Sequence, residues 1–242
     1  MRAVFCHDGR YALREDGRVF SAAHFDSGSW DRYLQEFDRL DVVGRVLPGR
    51  LEPHVSLVRS DAPGVAFHTF PNLNSPLNWI THRPAAVAGL RPLIEGADAL
   101  ILRGVTGLGS VAFGLARKRA RPIALEMSGC PFDNSWNYGT LTGRLVSPFR
   151  YLIGRRTAAS ADFVLYVTRE FLQRRYPTRG EQSHASNVQI DRPDPSILEN
   201  RLRRIADHEG DYVLGLIGKV DHRLKGIHTV LEALASHRER LP

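Results

Sequence analysis

The chain has 242 residues, 43% of them hydrophobic, and a formal net charge of +7. That apolar share supports a folded core and excludes a wholly disordered chain, and the length allows one large domain, or one domain plus part of another. The basic balance does not by itself indicate nucleic acid. Lysine occurs only at Lys118, Lys219 and Lys225, arginine supplies the other 30 basic residues, and no basic stripe is interleaved with aromatics. No nucleic-acid partner is therefore expected. Cys6 and Cys130 lack metal or redox spacing, the N-terminus lacks a signal-peptide core, and no apolar run approaches the ~20 residues that span a bilayer. A cytoplasmic protein follows, either soluble or held peripherally at the inner membrane face.

In chain order, Arg2 to Cys6 is an apolar strand ending at His7-Asp8-Gly9. Asp16-Gly17 then marks a hairpin turn between Tyr11 and Phe20. Trp30, Tyr33, Leu34, Phe37 and Leu40 recur at helical spacing and predict a helix over 30–40. Strands follow at Asp41–Val46 and Gly64–Phe70. Ser75-Pro76 caps a helical stretch reaching Gly96, with interruptions expected at Pro84 and Pro92.

A strand at Ala97–Leu102, a glycine-rich loop at Arg103–Gly109, a helix at Ser110–Arg119 and a strand at Pro122–Met127 form a parallel crossover. The pattern repeats with a helix around Leu145–Ala159, a strand at Asp162–Thr168, a helix at Arg169–Tyr176 and a strand at Ala185–Ile190. Residues 1–190 therefore read as a doubly wound, Rossmann-like α/β domain. Residues 191–210 read as a proline-rich hinge and linker helix. Residues 211–242 open a second domain: a strand at Asp211–Ile217, a loop at Gly218–Gly226 and a helix at Ile227–Ala235. One strand and one helix cannot bury their own faces, so this second domain is expected to be incomplete.

The loop Gly218-Lys-Val-Asp-His-Arg-Leu-Lys225-Gly226 is the strongest candidate for chemistry. It sits where doubly wound folds bind ligands, between a strand and a helix N-terminus that attracts anions. Lys219 and Lys225 can converge on a diphosphate; a solvated charged loop is the alternative. Glu126 ends a buried strand at the expected cleft, where a carboxylate is either a catalytic group or a structural cap. Asp133, Trp136 and Asn137 follow it on a loop, as substrate contacts or as core anchors. Arg103, His7 and Asp8 end strands at the same edge; Arg103 either meets an acceptor phosphate or forms a salt bridge at the rim. The remaining histidines have no metal spacing, and no metal site is expected. Residues Arg144 to Arg156 are amphipathic. The ordinary arrangement puts the apolar face in the core and the arginines in solvent. The alternative rests the helix on a membrane carrying a lipid-linked acceptor.

Gly-Lys-x5-Lys-Gly at 218–226, followed by Ile-His-Thr-Val-Leu-Glu-Ala-Leu, resembles the opening of the C-terminal domain in family 4 retaining GT-B glycosyltransferases. The segments 126–137, 166–177, 186–188, 32–38 and 42–46 resemble a bacterial subgroup that builds surface polysaccharides. The resemblance implies a GT-B fold, a nucleotide-sugar donor, and a glycan or lipid-linked acceptor. It implies no cofactor, with Lys219 and Lys225 clamping the donor diphosphate between Gly218 and Gly226. The chain departs from that family at three places. A hairpin follows His7-Asp8-Gly9 in place of a glycine-rich loop. Glu126-Met-Ser128 stands where many members have a histidine. The Glu-x7-Glu donor motif would lie beyond Pro242. The expected function is sugar transfer in cell-surface polysaccharide synthesis, with little activity for the 242-residue chain by itself. The alternatives are a catalytically inactive relic or accessory acceptor-binding protein, and a GT-B sugar-nucleotide epimerase.

Overall fold

A computed structural model describes residues 1–22, 25–47, 56–188, 193–208, 214–217 and 226–237. The chain divides into two compact units, Met1–Pro131 with Phe149–Ala185, and Phe132–Pro148 with Ser186–Pro242.

The first unit is built on a nine-stranded sheet among the described residues. Its strands are β1 (Arg2–Leu13), β2 (Val19–Ala22), β3 (Arg39–Val46), β4 (Leu57–Arg59), β5 (Val65–Phe70), β6 (Ala99–Arg103), β7 (Ile123–Met127), β8 (Phe163–Tyr166) and β9 (Glu181–His184). Seven are parallel, in the order β5-β3-β1-β6-β7-β8-β9. Counting the parallel strands alone, the chain runs outward from β1 to β5, then returns to β6 on the other side of β1. This is the doubly wound, Rossmann-like order, with its switch point between β1 and β6. The expected α/β class is therefore the observed one. β2 and β4 add an antiparallel flap on the far half of β1, closed by the expected turn at Gly17, φ +82.

The sheet is buried on both faces, as parallel sheets require. Ala3, Phe5, Leu40, Val42 and Ile101 share one face with Tyr11, Val19, Phe25, Trp30 and Tyr33. Phe25 stacks on Trp30 at 5.1 Å, and Phe5 meets both rings edge-on at 5.6 Å. The period-2 alternation sends Val4, Cys6, Val43, Leu100, Leu102 and Leu125, all buried, to the other face.

Helix α2 (Pro76–Glu95) starts where Ser75 accepts a hydrogen bond from the Asn78 N–H, and α3 (Gly107–Lys118) where Thr106 accepts one from the Gly109 N–H. Pro84 and Pro92 do not interrupt α2. Each removes one backbone hydrogen bond, and the buried face Ala86, Leu90, Leu93 and Ile94 holds the helix together. The helix predicted over 30–40 is one turn of 3-10 helix (Ser27–Trp30) and one α-turn, α1 (Asp31–Leu34); Leu40 belongs to β3. The aromatic stripe there reflects burial against the sheet, not a long helix. The last strand is Glu181–His184, not Ala185–Ile190. Of the latter, residues 185–188 form no strand, and 189–190 lie outside the described residues.

Helix α5 (Leu141–Ser160) runs through the boundary between the units. From Phe149 onward it turns small residues to the core: Gly154, Thr157 and Ala158 are buried. A Cβ on Gly154 would stand 2.9 Å from the buried Tyr176 ring, so glycine is what lets the helix approach there. Helix α6 (Phe171–Arg175) precedes β9.

The second unit holds α4 (Pro131–Trp136) apart from its first residue, the start of α5, α7 (Pro195–Ala206) and α8 (Ile227–Ser236). No residue of α7 or α8 is buried. Of the strand expected over Asp211–Ile217, residues 214–217 are described and are not in a strand.

Candidate functional site

Three of the predicted residues stand in one row. His7 is the register partner of Arg103 across β1 and β6, and Arg103 is the partner of Glu126 across β6 and β7. Arg103 ends β6, Glu126 is the penultimate residue of β7, and His7 is the last residue of β1 paired with β6; the three lie at the carboxyl edge of these parallel pairings, on the aromatic face of the sheet. The row spans the switch point, which is where open α/β sheets bind ligands.

Glu126 is the hub. Its Oε2 accepts from the Arg103 guanidinium at 2.6 Å, and its Oε1 from the Tyr33 hydroxyl at 2.8 Å. Arg32 places a guanidinium nitrogen 3.7 Å from Oε2 and donates to the Tyr33 hydroxyl. Burial, and then the neighbouring Glu126 carboxylate, push the Tyr33 hydroxyl above its ordinary range, so it remains a donor. The Arg103 guanidinium also lies over the Phe25 ring at 5.4 Å, and His7 meets the same ring edge-on at 5.0 Å. The Glu126 side chain keeps 13% of its surface exposed, so it is reachable from solvent while held by at least two donors.

Asp8 points to the opposite face and forms a second knot. Its Oδ2 accepts from the Asn74 amide at 2.7 Å and faces Arg45 at 3.2 Å, while Arg45 also donates to the Asp8 carbonyl. Asn74 accepts in turn from the Gly107 N–H at 3.0 Å, tying the start of α3 to the middle of β1. The Arg150 guanidinium donates to the Asn74 carbonyl at 3.4 Å. Burial raises the Asp8 carboxyl above its ordinary range, against the pull of Arg45 and Asn74.

The other predicted residues fall outside the first unit. Asp133, Trp136 and Asn137 belong to the second unit. There Trp136 stacks on Phe132 at 5.5 Å, and Asn137 closes the helix end by donating to the Asp133 carbonyl. Gly218, Lys219 and Lys225 lie outside the described residues. Gly226 is described and caps α8 in the left-handed region, φ +68, a conformation that calls for glycine. No group of His, Cys, Asp and Glu among the described residues could hold a metal ion. No described helix is long and apolar enough to cross a membrane.

Sequence reasoning assigned no role to Tyr33, Arg32, Asn74 or Arg45. Tyr33 sits 93 positions from Glu126, and only the sheet brings them together. The one available signal was the Arg32-Tyr33 pair itself, a cation beside an aromatic.

No protein-family model matches the chain. Protein CapJ of Staphylococcus aureus is 26% identical over 238 residues, covering 98% of this chain and 58% of CapJ; the chain thus spans under two thirds of that relative. Among solved structures, sucrose-phosphate synthase from Thermosynechococcus elongatus is 11% identical, with a TM-score of 0.41 over 77% of this chain and 48% of the synthase. A UGT transferase from Siraitia grosvenorii in complex with UDP is 11% identical, with a TM-score of 0.45 over 86% of this chain and 56% of the transferase. A UDP-N-acetylglucosamine 2-epimerase is 13% identical, with a TM-score of 0.42 over 82% and 54%.

Proposed function

We propose that the chain is the acceptor-side portion of a nucleotide-sugar-dependent glycosyltransferase of the retaining GT-B kind, acting on a glycan or lipid-linked acceptor in surface-polysaccharide synthesis. The observation that carries this reading is the row His7–Arg103–Glu126 across the switch point of a doubly wound sheet. The Gly218–Gly226 pattern supplies the donor half of the argument, and the left-handed Gly226 at the head of α8 fits it.

In glycosyl transfer the bond between the anomeric carbon and the donor phosphate oxygen breaks. The acceptor hydroxyl oxygen bonds to that carbon from the same face and passes its proton to the departing diphosphate oxygen. Negative charge builds on the leaving diphosphate, where Lys219 and Lys225 would stabilise it. Positive charge develops on the sugar. Glu126 suits that side of the reaction. A carboxylate has about four lone-pair sites, and Tyr33 and Arg103 occupy only part of them. The remainder can accept from a sugar hydroxyl and place negative charge beside the reacting carbon. Arg103 and Tyr33 act through Glu126, fixing its rotamer.

The test is sugar transfer by protein expressed from its natural reading frame, supplied with labelled UDP- and GDP-sugars and a lipid extract as acceptor. Release of nucleoside diphosphate together with labelled lipid or glycan is expected, strongly reduced in Glu126→Gln and Lys225→Ala. Acceptor binding without turnover would replace this reading with the accessory one. Full activity in both variants would remove it.

A further inference from the structure

From Phe149 to Ser160, helix α5 carries its large apolar residues on the wrong side for a core helix. Gly154, Thr157 and Ala158 are the buried residues of this stretch. Helical geometry puts Phe149 and Leu152 roughly opposite them, and they are 67% and 62% exposed, with Ile153 at the flank 45% exposed. The outer face of a helix in such a fold is ordinarily polar. The sequence offered two arrangements, and the ordinary one, with these side chains in the core and arginines outside, is not what forms.

The charge on this helix bears on what could cover the face. From Phe149 onward, Arg150 is held by the Asn74 carbonyl, whereas Arg155 and Arg156 are exposed; the helix contains no acidic residue and no lysine. Arg155 and Arg156 follow the apolar patch directly. A second copy packed isologously on this face would bring the same arginines against one another. An anionic bilayer surface offers the opposite: acyl boundary for Phe149 and Leu152, and lipid phosphates for the guanidinium groups. We infer that the outer face of α5 is a docking surface for a membrane rich in anionic lipid. The chain would lie on such a membrane without spanning it. The inference stands apart from the glycosyl-transfer reading, since neither Glu126 nor the 218–226 loop enters it.

The experiment is co-sedimentation of the purified chain with vesicles of phosphatidylglycerol and phosphatidylcholine, beside vesicles of phosphatidylcholine alone. Binding to the anionic vesicles is expected, falling as salt rises. The double variant Phe149→Ser/Leu152→Ser is expected to partition about tenfold less. The variant Arg155→Gln/Arg156→Gln is expected to lose roughly fivefold per arginine on anionic vesicles only. These side chains are exposed, so the thermal midpoints of the variants report whether the fold is kept. Equal partition to neutral and anionic vesicles would overturn the inference, as would unchanged binding by a folded Phe149→Ser/Leu152→Ser protein. A concentration-dependent dimer in gel filtration, abolished by that same double variant, would overturn it in favour of a second copy.

Discussion

Arg103 and Glu126 are direct register partners on adjacent parallel strands, and their side chains close a 2.6 Å ion pair over that pairing. The two are 19% and 13% exposed, so the pair is shielded from water without being sealed from it. Glu126→Ala would leave the Arg103 guanidinium without its carboxylate and remove the acceptor of Tyr33. We expect a loss of about 2–3 kcal/mol in urea unfolding. A cycle of Arg103→Ala, Glu126→Ala and the double variant should show a coupling of about 1 kcal/mol or more. Additive effects would mean that the pair is held apart in solution.

Much of this frame was readable in the sequence, for a physical reason. Buried parallel strands are short apolar runs, and Gly104, Gly107 and Gly109 punctuate the β6–α3 crossover. The site was readable only in part. Arg103 and Glu126 close short apolar strands, so a strand-end rule finds them; the same rule reached His7 although β1 runs on past it to Leu13. Tyr33 reaches Glu126 from a single helical turn far away in the sequence, and no local pattern encodes that contact. Strand β9 was missed because Glu181, Gln182, Ser183 and His184 are all exposed. An edge strand of that kind carries no apolar alternation to read.

Tyr11 should tolerate loss of its hydroxyl. The ring is fully buried, and its hydroxyl oxygen has no hydrogen-bond partner among the described residues. Removing an unsatisfied buried polar group is neutral or favourable. Tyr11→Phe is expected to raise the thermal midpoint, by about 1 kcal/mol in stability. The neighbouring Gly44 should show the opposite. A Cβ there would run into the Tyr11 ring and stand 2.8 Å from the Gly9 carbonyl oxygen. Gly44→Ala is expected to cost about 1–3 kcal/mol through overpacking. A midpoint lowered by Tyr11→Phe would show that the hydroxyl is satisfied in solution.

Asp41 should govern acid stability. Its side chain is fully buried and accepts from Arg2 and, at 2.8 Å, from His68. Burial alone would raise its carboxyl; the hydrogen bonds from Arg2 and His68 outweigh that, and the net shift is downward. A carboxylate depressed in the folded state binds fewer protons there than in the unfolded chain. Its contribution is therefore present above the unfolded value of about 3.9 and is lost as pH falls through the depressed one. Asp41→Asn is expected to cost about 2 kcal/mol at neutral pH, with the gap to wild type closing in strong acid. A gap constant across that range would remove Asp41 as the source.

Asp8 should behave with the opposite sign. Its carboxyl is raised, chiefly by burial, so the folded chain binds more protons than the unfolded one just above pH ~4. Stability from this group is then lost as pH rises through the raised value, and the ionised form at neutral pH is a net cost. Asp8→Asn retains an oxygen that can accept from Asn74 or Arg45. It is expected to be more stable than wild type at neutral pH, with the advantage disappearing in acid. A carboxyl held buried on the crevice edge against its own desolvation is the pattern of a site that trades stability for function. The same variant is accordingly expected to lower sugar transfer by the protein expressed from its natural reading frame. Greater stability with undiminished transfer would reduce Asp8 to a brace between β1 and the start of α3. Lower stability at neutral pH would mean that the pull of Arg45 and Asn74 outweighs burial.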